Sequence, residues 1–325
     1  MTVLFRVAAG PRTGFGHLRR AGTIAGALGV PLRVSLRGGV ASARAARRLG
    51  ARLEGGGAGA VLDRVRPDVL VIDDPVAAAA RPWLAAARRR GVPVASVHDL
   101  GLAWIDSDLV IDGAFTHRRD DGPDRLLGPR YVACATGTPP NLTNPTNLTN
   151  PTNPTNVTIL LALGGGPRRA VAARVARAIR RRVPGASVRI AGGFLPGGRP
   201  EAGITWLPAL PTLAGEFRGA TAAVTAGGVS LYESCALGVP TVGVAVTALS
   251  AQRHAVRAGA ALGAVLDGGA LTDRGAPGRV AGLVARLLEQ RNLRQSLVST
   301  ARRTVDGRGA SRIGSHLRRL ARKRQ

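Results

Sequence analysis

Val69-Leu70-Val71-Ile72 is an unbroken apolar run, stopped by Asp73, Asp74 and Pro75. A strand with one wet face alternates apolar and polar residues. An unbroken run marks a strand buried on both faces, as happens when helices cover both sides of a parallel sheet. The neighbouring sequence agrees. Val3–Val7 reads as a short strand before a glycine-rich turn. From His17 to Leu28 the apolar residues Leu18, Ala21, Ile24, Ala25 and Leu28 recur with helical spacing, and Gly29 and Pro31 end the pattern. Strands at Leu32–Leu36 and Val94–Val97 and helices at Ala41–Leu49 and Pro82–Arg90 complete the alternation. Strands alternating with helices require right-handed crossovers and a parallel sheet.

The alternation stops at Thr138–Thr158, where Asn-X-Thr repeats with Leu, Pro or Val at X. Proline removes backbone donors, and no apolar face exists to bury, so the stretch reads as an extended spacer. Asn141, Asn147 and Asn156 fit the glycosylation sequon, but in a cytoplasmic chain they are inert. The alternation then restarts. Strands are expected at Ile159–Leu163, Val188–Ala191, Thr205–Leu207, Ala222–Thr225 and Val242–Val246. Helices are expected at Arg168–Arg182, Ser230–Leu237, Gly278–Arg291, Arg294–Val305 and Ser311–Arg322. The reading is two doubly wound α/β domains, 1–138 and 159–325, joined by a linker at 139–158. The last helix is a candidate to return to the first domain. A ligand is expected between the domains, outside the carboxyl ends of the strands.

Composition narrows the class. The chain has 325 residues, 45% hydrophobic and 20% charged, which fits a folded chain of about two domains at roughly 100–200 residues each. No eighteen-residue apolar run is present and no export signal is visible, so the expectation is a cytoplasmic protein without a membrane span. Two cysteines, Cys134 and Cys235, make neither a disulfide framework nor a zinc site. The net charge of +27 comes almost wholly from arginine, Lys323 being the only lysine. Arginine is spread over most of the expected helices, and aromatics are only 3%. Nucleic-acid binders concentrate basic charge and interleave aromatics, so nucleic acid is a minor reading confined to the basic tail.

Two stretches can carry chemistry. Gly14-Phe15-Gly16-His17-Leu18-Arg19-Arg20 follows a strand and opens a helix. Its glycines permit a close approach, its helix start favours an anion, and His17 suits general acid/base work. A histidine merely capping the turn is the plainer alternative. Ala226-Gly227-Gly228-Val229-Ser230-Leu231-Tyr232-Glu233 is a strand, a Gly-Gly turn and a serine expected at the helix N-cap. It would present N–H groups to a diphosphate, with Glu233 either on a ribose or in a capping box with Ser230. Asp73 and Asp74 end a strand, as does Asp99 after His98. Asp73 could orient a base or accept a sugar hydroxyl, or the pair could simply build the turn.

At these motifs the chain resembles the PseG/SpsG family, UDP-sugar hydrolases of pseudaminic acid synthesis and their spore-coat polysaccharide relatives. The likeness rests on Gly14-Phe15-Gly16-His17 with Arg20 and on the Ala226–Glu233 stretch with Gly238-Val239-Pro240. Leu126–Tyr131, Leu161-Ala162-Leu163-Gly164-Gly165 and Asp306–Ile313 add to it. The resemblance implies the GT-B fold, two Rossmann-like domains facing across a cleft that holds a UDP-sugar, with no metal or other cofactor. It implies that His17, with Asp73, activates water for attack at the anomeric carbon. UDP would leave, held at Gly227, Gly228 and Ser230 with Glu233 on the ribose. Gly14, Gly16, Arg20, Gly164, Gly165 and Gln252 would complete the substrate contacts. Relatives commonly carry Asp-His where this chain has Asp73-Asp74, and Asn-Gln where it has Ala251-Gln252. The alternatives are a metal-independent GT-B glycosyltransferase using a UDP-sugar donor, and a non-catalytic sugar-nucleotide binder.

Overall fold

The computed structural model describes residues 1–11, 13–98, 105–115, 122, 124–136, 157–164, 168–194, 198–199, 201–246 and 250–322. Gly165, Asp99, His117 and the Asn-X-Thr repeats therefore lie outside the described residues. The chain divides into two compact units, Met1–Ala133 with Arg308–Gln325, and Cys134–Gly307.

The first unit is built on β1 (Val3–Ala8), β2 (Arg33–Arg37), β3 (Arg52–Leu53), β4 (Val69–Asp73), β5 (Val94–His98), β6 (Leu109–Asp112) and β7 (Arg125–Leu127). They form one sheet in the order β3-β2-β1-β4-β5-β6-β7, every pair parallel. All five residues of β4 are buried, as the unbroken apolar run requires. Leu4, Leu70 and Ile72 pack against α3 (Ala58–Val65) and α4 (Ala77–Arg88) through Val61, Leu62, Ala80 and Trp83. The other face carries α1 (Gly16–Leu28) and α11 (Gly309–Arg322). A fully buried aliphatic or aromatic side chain such as Phe5 contributes about 1.5–3 kcal/mol.

Helix α11 buries Ile313, Leu317 and Leu320, one helical stripe, and Gly314 sits against the Leu28 side chain. Arg318 donates to the Leu28 carbonyl at the end of α1, and Arg312 to the Arg130 carbonyl. The arginines on this helix thus cap exposed carbonyls.

The second unit carries β8 (Thr158–Ala162), β9 (Ser187–Ala191), β10 (Ile204–Leu207), β11 (Ala222–Ala226), β12 (Thr241–Ala245) and β13 (Leu266–Ala270). Their order is β10-β9-β8-β11-β12-β13, again parallel. Ile159 and Leu161 face α5 (Arg169–Arg182) and α9 (Ala276–Glu289). Leu160 and Ala162 face α6 (Ala214–Arg218) and α7 (Val229–Leu237). The alternation is the two-residue period of a strand buried on both faces.

Several elements differ from the sequence reading. Helix α4 begins at Ala77, five residues before the expected start, and contains Pro82. Four alanines favour helix strongly enough to precede the proline, and the Ala78 carbonyl it deprives of a partner is on an exposed residue. Helices α2 (Val40–Arg48) and α10 (Arg291–Thr304) lie close to expectation, whereas α3, β6, β13 and α8 (Ser250–Ala261) were not foreseen. Among the described residues no helix is long and apolar enough to cross a membrane.

Candidate functional site

In each sheet the strand order runs outward in one direction and then reverses beside the first strand. The reversal falls between β1 and β4 in the first unit, and between β8 and β11 in the second. Loops leaving the two central strands there diverge to opposite faces and open a crevice at the strands' carboxyl ends. The residues singled out in the sequence cluster at these two points.

In the first unit, the loop from β1 to α1 is closed on itself. Gly10 and Gly14 exchange backbone hydrogen bonds of 2.9 and 2.6 Å. Gly14 has φ +84°, a conformation an L side chain strains to adopt. Gly16 is the first residue of α1, behind Phe15, which offers no side-chain cap. His17 follows, and its Nδ1 lies 2.7 Å from Asp73 Oδ1 at the end of β4. Asp73 is buried, 3% exposed at the side chain, while His17 retains 12%. Arg20, one turn further along α1, forks the same carboxylate: Nε to Oδ2 at 2.7 Å and Nη2 to Oδ1 at 2.6 Å.

Burial pushes the Asp73 carboxyl up, but Arg20 and His17 together outweigh it and hold the group well below the usual carboxylate range. Asp73 is therefore ionised at neutral pH. A carboxylate 2.7 Å from Nδ1 requires the proton to sit on Nδ1, which makes Nε2 the lone-pair nitrogen of the neutral ring. The ring is oriented and its tautomer fixed, the arrangement a general base needs. The sequence reading grouped Arg20 with substrate contacts. The structure instead turns it inward, 4% exposed, onto Asp73.

Asp74 has a different fate from its neighbour. Consecutive strand residues point to opposite faces, and Asp74 turns to β2. Arg37 forks it, Nε to Oδ2 at 2.7 Å and Nη2 to Oδ1 at 2.5 Å. Its Oδ1 also accepts the Val76 N–H at 3.0 Å, a side-chain-closed turn. Asp74 is thus a structural clamp between two strand ends. His98 contacts the Ser96 hydroxyl at 3.0 Å, and His316 lies edge-on to Tyr131. His254 lies on α8.

In the second unit the β8–β11 register places Ala162 beside Thr225, so Gly164 and Gly227 follow at the same level. Gly164 has φ +87°, and Arg168, at the start of α5, reaches back over it to donate to the Leu163 carbonyl at 2.7 Å. Gly227 must be glycine for packing: a Cβ there would overlap the carbonyl oxygen of Gln252. Gln252 also accepts the Val246 N–H at 3.2 Å, so Gly227 and Gln252 are brought together.

Helix α7 starts at Val229, capped by Gly228 in extended conformation with no side-chain cap bond. Ser230 is therefore inside the first turn, not at the N-cap, and forms no capping box with Glu233. Gly228 reaches the cap position first because its extended backbone already accepts the Leu231 N–H at 2.9 Å. At Gly228, just ahead of the first turn, a Cβ would meet nothing within 4 Å, and Val229 and Ser230 are half-buried. Glu233 is only 1% exposed, and its charge adds to burial in pushing up the Cys134 thiol. Cys235 is likewise buried, its thiol pushed up to about 12, so both thiols are inert packing groups. Among the described residues no three His, Cys, Asp or Glu side chains group as a metal site.

No protein-family model matches the chain. No curated protein matches it in sequence. Solved structures match it along almost its whole length. The spinosyn forosaminyltransferase SpnP is similar with a TM-score of 0.69 at 15% identity, covering 99% of both chains. MurG of Acinetobacter baumannii gives 0.67 at 16% identity, over 98% of this chain and 100% of that one. MnaA of S. aureus, in a co-structure with UDP, gives 0.62 at 12% identity over 98% and 96%. At such identities the likeness is one of fold, and the fold of this chain is GT-B: two parallel α/β units of the Rossmann kind, each with a switch point at its centre.

Proposed function

We propose that this chain is a nucleotide-sugar glycosyltransferase in which His17 is the general base. The observation that carries the reading is the His17 Nδ1–Asp73 Oδ1 pair of 2.7 Å at the switch point of the first sheet. A ring held in this way takes a proton on Nε2 from a hydroxyl. The hydroxyl oxygen forms a bond to the anomeric carbon of the donor, and the bond from that carbon to the diphosphate breaks. The nucleoside diphosphate leaves with the electron pair, and the first turn of α7 is suited to receive its charge through the Val229 and Ser230 N–H groups, the Gly228 N–H being spent on the Ala226 carbonyl. UDP is the expected nucleotide. Gly227 and Gln252 form the wall behind that turn, and Gly14 and Gly16 set the loop that delivers His17. Glu233 is the ribose contact in this reading, and because it is buried a ribose must displace its neighbours to reach it. Arg168 and Gly164 line the strand end beside the same turn. Support for transfer comes from the shared fold with a named forosaminyltransferase, and support for UDP from a neighbour of the same fold solved with it.

A second reading, hydrolysis, is favoured by the Gly14-Phe15-Gly16-His17 motif with Arg20, the part of the sequence most like the PseG/SpsG hydrolases. Water then replaces the acceptor hydroxyl and nothing else in the site changes. Release of UDP from a panel of UDP-sugars, with and without hydroxyl acceptors, separates the two. Transfer predicts release that depends on acceptor. Release at the same rate without acceptor establishes the hydrolase. Absence of both turnover and calorimetric preference for UDP over ADP and GDP overturns the nucleotide-sugar assignment.

A further inference from the structure

Arg20 stands three residues beyond His17 on α1, so the two side chains leave the same face of the helix. Both reach Asp73. The carboxylate lies 2.7 Å from His17 Nδ1, and the Arg20 Nη2 lies 3.0 Å from that same Nδ1 because both nitrogens converge on Oδ1. One negative and one positive charge therefore flank the ring at nearly equal distance.

A carboxylate beside a histidine has two effects. It fixes the tautomer and the ring plane, which a base requires. It also favours the doubly protonated ring, which a base must avoid. A cation forked onto the carboxylate cancels the second effect while leaving the first in place. Among the described residues, charged groups on the neighbouring elements have partners of their own. Asp74, just past the end of β4, is forked by Arg37, with Arg6 of β1 3.9 Å away. On α11, Arg312 and Arg318 donate to backbone carbonyls and His316 lies against Tyr131. Arg19, next to Arg20 on α1, is half-buried.

We propose that Arg20 is a positioning residue that separates orientation from charge: through its fork on Asp73 it lets His17 be held as a neutral base. The inference rests on the reading of His17 as the base, and it deepens that reading by giving a role to the buried arginine forked onto Asp73.

The test is an NMR titration of the His17 ring without substrate, in wild type, Arg20→Gln and Arg20→Lys, alongside pH–rate profiles. Arg20→Gln removes the cation and keeps a hydrogen bond, so the titration midpoint of His17 rises by about one pH unit, and the acid limb of kcat moves with it. Arg20→Lys keeps the charge without the fork. Its midpoint stays close to wild type while kcat falls about tenfold with KM unchanged. An unmoved midpoint in folded Arg20→Gln overturns the proposal. If Arg20→Gln does not fold, Arg20→Lys decides, and a wild-type kcat there overturns it. A raised midpoint in a protein that turns over no nucleotide sugar sinks the functional reading and leaves the electrostatic role of Arg20 standing.

Discussion

The two switch points solve the same topological problem with different materials. In the first unit the crevice is furnished by side chains: His17, Asp73 and Arg20 interlock within 3.0 Å of one another. In the second it is furnished by backbone: Gly227 lets the Gln252 backbone pack close behind the turn, and Gly228 leaves open space ahead of α7. Side chains can titrate, whereas peptide N–H groups cannot. In the proposed function, proton transfer is therefore assigned to the first unit, and recognition of a fixed negative charge, which needs no titration, to the second.

The largest expected effect comes from emptying the titrating side. His17→Ala should lower kcat about 100- to 10,000-fold while calorimetric UDP affinity stays at wild type. Equal loss of both would break the division of labour between the units. Next is Asp73→Ala, which leaves the buried Arg20 without its counter-charge. Removing one partner of a buried pair costs about 3–5 kcal/mol, measurable by urea unfolding.

The same pair sets a pH dependence. The folded carboxyl of Asp73 is depressed, so its contribution is full above the unfolded value of about 3.9 and is lost as pH falls through the lower folded value. Wild type should lose stability below about pH 4 more steeply than Asp73→Ala. Parallel curves would show that the pair does not stabilise the fold.

On the backbone side the effects are smaller and split a neighbouring pair of glycines. Gly227→Ala collides with the Gln252 backbone and should cost about 1–3 kcal/mol. Gly228→Ala meets open space in an extended conformation, so its stability should stay within about 0.5 kcal/mol of wild type. Any loss of UDP affinity in that variant then reports ligand approach and not packing. Unchanged affinity would move the diphosphate away from this turn.

Much of the fold was legible because buried parallel strands leave an unmistakable apolar run, as in Val69–Ile72 and Ile159–Leu163. β13 left no such trace. Its Leu-Asp-Gly-Gly-Ala sequence has poor strand propensity, and Gly268 is there because a Cβ would press on Val242 and Val244. α8 was hidden by a mixed Arg/Ala pattern without a cap signal. At the site, His17 and Asp73 could each be named from strand-end position, but their pairing depends on which strands are neighbours. The opposite fates of Asp73 and Asp74 reflect the strand's end at Asp73 and the turn that Asp74 closes onto the Val76 N–H. The inward turn of Arg20 also had a signal, its three-residue spacing from His17, which puts both on one helical face. The placement of the serine cap was wrong by two residues because a glycine can cap a helix with backbone alone.

The return of α11 to the first unit has a consequence for how the protein is made. The ribosome delivers β1 and α1 first, yet the residues that cover Leu28 and bind its carbonyl arrive only after the whole of the second unit. The second unit is one continuous stretch and can close as soon as it emerges. The first must wait, with one helix face uncovered, until α11 has emerged. A piece made after the second unit therefore seals one made before it, and a nascent chain cut short at residue 307 would carry both candidate sites but only one finished unit.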